Sequence, residues 1–187
     1  MNYLSSAQVS AMLGSLIVST LLALWYYVPW SLRVTRRDAL LSLLWLHVPR
    51  YVTLILFSAQ HDGYPLSNRA ALEAVVGDVA GAAIALLSII AIQSLPSAHR
   101  RIGIWFSWIL ATETTVDMII GILRKAHEPL WGKAAGVTWL ILDFYIPVLM
   151  VSVPLLVWQL ISRRNEPLSS VAALSRKQDA RQRIASA

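Results

Sequence analysis

Apolar residues run along this chain in long unbroken stretches, not in alternation. Five of them, at about 8–30, 39–60, 70–95, 102–123 and 134–161, reach the roughly 20 residues that a helix needs to cross a hydrocarbon core. Strands are excluded as the main element, because an open sheet edge cannot be satisfied in lipid. The pattern predicts an all-α polytopic membrane protein, a bundle of five transmembrane helices occupying residues 1–164. Residues 165–187 turn polar and basic and are expected to form a flexible tail, being too poor in apolar surface to order themselves.

Composition agrees with the pattern. Of 187 residues, 57% are hydrophobic and 14% charged, with no cysteine, against about 25% charged in a soluble domain. An ordinary cytosolic enzyme and a disulfide-stapled module are thereby excluded. The net charge of +6 comes from arginines between the apolar runs, which reads as an orientation signal and not as a nucleic-acid surface. Eleven of the sixteen basic residues follow spans one, three and five, including Arg33, Arg36, Arg37, Arg100, Arg101, Arg163 and Arg164. The other connectors hold four, Arg69, Arg124, Lys125 and Lys133. The positive-inside rule then gives N-out/C-in, with the tail in the cytoplasm. The first run has no basic residue before Arg33 and reads as an uncleaved span. Trp25, Tyr26, Tyr27 and Trp30 mark its inner end, and Trp131 and Trp158 the two ends of span five. The compact, cysteine-free chain points to a bacterial inner membrane.

The candidate chemistry lies in ionisable residues inside the spans. Span two carries His47, Pro49, Arg50 and Tyr51, span three Glu73 and Asp78, span four Glu113 and Asp117, and span five Asp143 and Tyr145. A charge at mid-bilayer costs several kcal/mol, so such groups face the bundle interior, pair or line water. Counted from the outer ends, Arg50 and Glu113 lie about 15 Å deep, Asp78 and Asp143 about 12 Å, and Asp117 about 9 Å. One guanidinium and four carboxylates therefore share a layer in the outer half, with His47 deeper. His47, Arg50, Tyr51, Leu54 and Ser58 form one stripe at helical spacing, and Glu113 and Asp117 project from one side of their helix. Glu73 diverges from Asp78 and belongs at the outer rim. Pro49 and Pro147 each free a carbonyl beside these charges, and Pro154 loosens span five again. Gly77, Gly81 and Ala85 form a small-residue ridge read as helix packing. His61 and Asp62, with His127 and Glu128, stand on the outer connectors.

One arginine cannot neutralise four acids, so the leading expectation is an acidic pocket open to the outer face that binds, and by extension translocates, a cation or proton. Asp78, Glu113, Asp117 and Asp143 would supply oxygens and Arg50 the charge balance. His47, Glu113 and Asp117 form the candidate metal set, and Tyr51, Tyr145, Trp108 and Trp139 the candidate ligand lining. The alternative is a membrane-embedded acid/base enzyme of isomerase or cyclase type on a lipophilic, isoprenoid-like substrate, with Glu113, Asp117 and Asp143 as catalytic carboxyls. The third reading is an accessory subunit whose buried charges specify packing. No phosphate loop, dinucleotide fingerprint or zinc-protease motif is present. A single intramembrane histidine excludes bis-His haem within one chain. The expected partners are the lipid bilayer and a small cation, proton or lipophilic molecule, with a homo-oligomer left open.

Overall fold

A computed structural model describes residues 3–64, 66–96, 99–125 and 137–168, side chains excepted at 3–5, 122–125 and 137. Trp131, His127, Glu128, Lys133, the start of the last span and the tail from 169 onward lie outside the described residues. The described residues form an all-helical fold of five long rods. α1 runs through Tyr3–Leu22, Ala23–Tyr27 and Val28–Ser31; α2 through Arg36–His47, Val48–Leu54 and Ile55–His61. α3 is Asn68–Ser94 and α4 is Arg101–Lys125, while α5 runs through Val137–Leu140, Ile141–Tyr145 and Ile146–Ser162.

Local chemistry sets the ends and the irregularities. Thr35 caps α2 by accepting the Asp38 amide at 3.2 Å, and Ser67 caps α3 by accepting that of Ala70 at 3.2 Å. The α2–α3 connector turns at Gly63, whose φ of +92° suits a residue without Cβ. Three rods break α-geometry, each beside a proline that lacks an amide and crowds the preceding turn. The chain widens into π turns at Ala23–Tyr27 before Pro29 and at Ile141–Tyr145 before Pro147. It tightens into a 3₁₀ segment at Val48–Leu54 around Pro49. The turn before Pro29 was not expected from the sequence. At Pro154 the α-helix runs on without a break.

α2, α3, α4 and α5 share the core. Leu40, Leu43 and Leu44 of α2 meet Ile89 and Ile92 of α3, Leu110 of α4 and Leu156 of α5. α1 is peripheral and packs mainly on α5; 11% of its most apolar window is buried, against 39–44% in α2, α3 and α5. α3 packs extensively on both α2 and α4. Ser88 bonds the Gly103 carbonyl at 2.7 Å and Ser107 Oγ at 2.7 Å between α3 and α4.

Among the described residues, four rods are long and apolar enough to cross a membrane: Ser6–Ser31, Arg36–His61, Asn68–Ser94 and Thr138–Ser162. α4, with 25 residues, is about 37 Å long, but Glu113, Asp117 and three threonines interrupt its apolar run. At the end where α5 finishes, arginines tie the rods together. Arg163 bonds the Ser31 carbonyl at 2.7 Å and that of Val34 at 2.9 Å. It also clasps Glu166 at 2.8 and 2.6 Å, and this bond holds the Glu166 carboxyl below its ordinary value of 4.5. Arg100 bonds the Leu168 carbonyl at 3.1 Å, and Leu168 packs against the core. The packed structure thus extends past residue 164 to Leu168.

Candidate functional site

Arg50 is the centre of the site. It stands in the 3₁₀ segment of α2, 1% exposed, and the local backbone puts it there. A 3₁₀ turn repeats every three residues, so i and i+3 eclipse. His47, Arg50 and Thr53 therefore align and are buried, at 0%, 1% and 3% exposure. Tyr51 and Leu54, placed on the same stripe by α-helical counting, are turned outward, Tyr51 at 56%. The tightened turn also leaves the Leu46 carbonyl without its usual donor, since Pro49 has no amide. Tyr145 of α5 donates its hydroxyl to that carbonyl at 2.8 Å, and Thr53 donates to the Arg50 carbonyl at 2.8 Å. Tyr145 thus serves the backbone beside the site. Tyr145→Phe should cost about 1–2 kcal/mol by orphaning Leu46, read as a lower melting temperature; an unchanged value would show that the carbonyl finds another donor.

The guanidinium reaches three acids on two helices. Arg50 Nε donates to Asp78 Oδ1 at 2.7 Å. Nη1 donates to Glu113 Oε2 at 2.8 Å and to Thr114 Oγ1 at 2.7 Å. Nη2 donates to Glu113 Oε1 at 3.3 Å and to Asp117 Oδ2 at 3.2 Å. These bonds occupy all five donors of the group. Thr114 passes its own hydroxyl to Glu113 Oε2 at 3.1 Å. Asp78, Glu113 and Asp117 keep 18%, 20% and 36% of their side chains exposed, so the cluster is closed around Arg50 and accessible at its acids.

Two glycines make the space. A Cβ at Gly81 would collide with Arg50 Nη1, stand 2.6 Å from Cζ and lie 2.9 Å from Glu113 Oε2. One at Gly77 would lie 2.8 Å from Asp117 Oδ1. The ridge expected to serve helix packing is therefore the floor of the charged cluster.

The remaining candidates separate from it. Asp143, 3% exposed on the π turn of α5, is not among the groups that Arg50 bonds. The expected four-acid layer is a three-acid cluster with Asp143 apart. His47 faces α5, its Nε2 3.1 Å from Ser152 Oγ, while its Nδ1 is buried without a hydrogen-bond partner among the described residues. The metal set His47, Glu113 and Asp117 is not assembled: among the described residues no three His, Cys, Asp or Glu are grouped to hold a metal ion. Glu73 pairs with Arg69 at 2.9 Å on the rim. Trp108 packs against the core, and Trp139 is 39% exposed. His61 and Asp62 form an exposed pair at 3.5 Å. Thr112, Thr114 and Thr115 read from the sequence as caps for the Glu113/Asp117 pair, and Thr114 does bond Glu113. Sequence reading missed Thr53 and the role of Gly81, for which Gly81 one turn after Asp78 was the available signal.

The family described as Domain of unknown function (DUF8737) matches residues 7–161, from the start of α1 to the last turn of α5. No curated protein matches the chain, and no solved structure does.

Proposed function

The chain belongs to this family of unknown function, and we propose that it is a five-span membrane protein whose Arg50 cluster takes up a proton, or a small monovalent cation in its place, from the outer side. α4 is the fifth span: the two acids that interrupt its apolar run are those that Arg50 engages. An N-out/C-in orientation follows from the basic residues, with Arg36, Arg100 and Arg163 meeting at one end of the bundle. A bacterial inner membrane is the setting that such a chain suits.

One observation carries the reading. Three carboxylates surround a single guanidinium whose five donors are all engaged. Fully ionised, these four side chains carry three negative charges and one positive, and no further hydrogen bond from Arg50 can offset the difference. Carboxylates crowded together relieve repulsion by sharing a proton or admitting a cation. Asp117 is the most exposed of the three and is held by the longest of the three ion pairs, which makes it the entry point. Conduction through the bundle is a further step, for which His47 on the inner side of Arg50 is the next polar station.

The test compares wild type with Asp117→Asn, the amide standing in for the neutral acid. Melting temperature is measured in neutral detergent over a grid of pH and of sodium against choline at constant ionic strength. Acidification or sodium should raise the wild-type value by several degrees, about 2–4 °C per kcal/mol for a chain of this size. Asp117→Asn should have lost most of that response. Parallel behaviour of the two proteins under both variables would sink the proposal and leave a structural ion cluster.

A further inference from the structure

A second charged site lies at the opposite end of the bundle, where α2 begins and α5 ends. Arg36, the first residue of α2, is 6% exposed. Its guanidinium touches carbonyls: Nη1 donates to those of Arg164 at 3.2 Å and Glu166 at 3.3 Å, and Nη2 to that of Leu160 at 3.3 Å. No carboxylate among the described residues pairs with it. The acid closest in sequence, Asp38, accepts from the Thr35 hydroxyl at 2.7 Å. Glu166 has both carboxylate oxygens on Arg163. That carboxylate therefore serves Arg163 directly and Arg36 only at longer range, and the C-terminal carbonyls of α5 add only partial negative charge, so one acid is shared between two buried guanidinium groups.

Its hydrogen bonding is also incomplete. Three contacts on five donors leave Arg36 Nε–H buried and without a partner among the described residues. One more orphan donor stands next to Leu160, whose carbonyl Arg36 engages. Gln159, 0% exposed on the last turns of α5, accepts from Arg163 at 3.4 Å through Oε1 and has no partner for Nε2. Buried donors are almost always satisfied, and a buried guanidinium is paired with an anion or costs several kcal/mol. All the unmet groups here are donors or cations, which asks for an acceptor bearing negative charge.

We infer that Arg36, with Gln159, forms a seat for a phosphate oxyanion at the end of the bundle where α2 begins. A guanidinium edge offers parallel N–H bonds that fit phosphate oxygens, and a carboxamide N–H adds a third direction. The seat lies at the end of two membrane-length rods, where the phosphates of a bilayer lie. The same chemistry suits a phospholipid headgroup and free phosphate. The inference depends on the rods spanning a membrane and is independent of what the Arg50 cluster binds.

The experiment titrates the full chain in neutral detergent with phosphatidylglycerol, with diacylglycerol of the same acyl chains, and with inorganic phosphate, reading melting temperature. Phosphatidylglycerol should stabilise the wild type saturably, and phosphate-free diacylglycerol should not. Inorganic phosphate reproducing the gain would identify a free oxyanion as sufficient, and its failure to do so a lipid headgroup. Arg36→Lys keeps the charge but loses the planar fork, and should weaken the apparent affinity about tenfold. Gln159→Glu removes an N–H and adds a negative charge beside Arg163, and should have a similar effect if Arg36→Lys does not fold. Asp117→Asn should respond as wild type, which separates this site from the outer cluster. No saturable gain from either phosphate source, or equal responses from both seat variants and the wild type, would overturn the inference and leave ordered water on these donors.

Discussion

Arg50→Met is expected to lower the stability of the bundle by about 3–5 kcal/mol, the cost of stripping one partner from a buried ionic group. At about 2–4 °C per kcal/mol this is on the order of 10 °C in melting temperature. Methionine keeps the length and apolar stem of the side chain, so the loss reports the guanidinium itself. Removing it leaves Asp78, Glu113 and Asp117 facing one another, with the Thr114 hydroxyl still on Glu113. The diagnostic experiment neutralises the acids in the same background. Asp78→Asn, Glu113→Gln and Asp117→Asn together with Arg50→Met should recover most of the loss, since the penalty comes from uncompensated charge and not from the missing contacts. An Arg50→Met protein as stable as wild type would show that the acids are already neutral or hydrated, and that the cluster does not depend on the arginine.

Gly81→Ala should be nearly as damaging, although it adds a single methyl group. The new Cβ would stand 2.6 Å from the Arg50 Cζ and 2.9 Å from Glu113 Oε2. The guanidinium is held by five bonds on two helices and cannot withdraw without breaking some of them. Overpacking of this kind costs about 1–3 kcal/mol, and displacement of the ion pairs adds to it. A double-mutant cycle isolates the cause: in the Arg50→Met background the substitution should become milder by at least 1 kcal/mol, because the planar, fixed group has gone. If Gly81→Ala costs the same in both backgrounds, the glycine serves helix approach alone, as the small-residue ridge first suggested.

The membrane-length rods, and which residues had to find partners, were legible in the linear chain. Long apolar runs admit few structures in lipid, and a charge within one must be met by another. Depth counted along the helices therefore placed Arg50, Asp78, Glu113 and Asp117 in one layer, and they do meet. Three details were not legible, each for a physical reason. Tyr51 is turned out because Pro49 converts the local repeat from 3.6 to 3.0 residues per turn, a change the counting did not include. Asp143 shares the depth but not the partner, because depth says nothing of which way a helix is rotated. His47 faces Ser152 and not the acids, for the same rotational reason.

At the other end, Arg36 and Arg163 read in the sequence as part of an orientation signal. In three dimensions they are buried, and they bond to carbonyls more than a hundred residues away. Composition and periodicity determined that the chain is helical, has membrane-length rods and carries charges needing compensation, since those properties follow from local backbone satisfaction and transfer energy. Which acid meets which arginine, which glycine makes room for it, and which buried donors are left for a ligand were decided by the packing of α2 against α3, α4 and α5. Those outcomes depend on helix rotation and on distances of a few ångströms between residues remote in sequence, which a linear pattern does not encode.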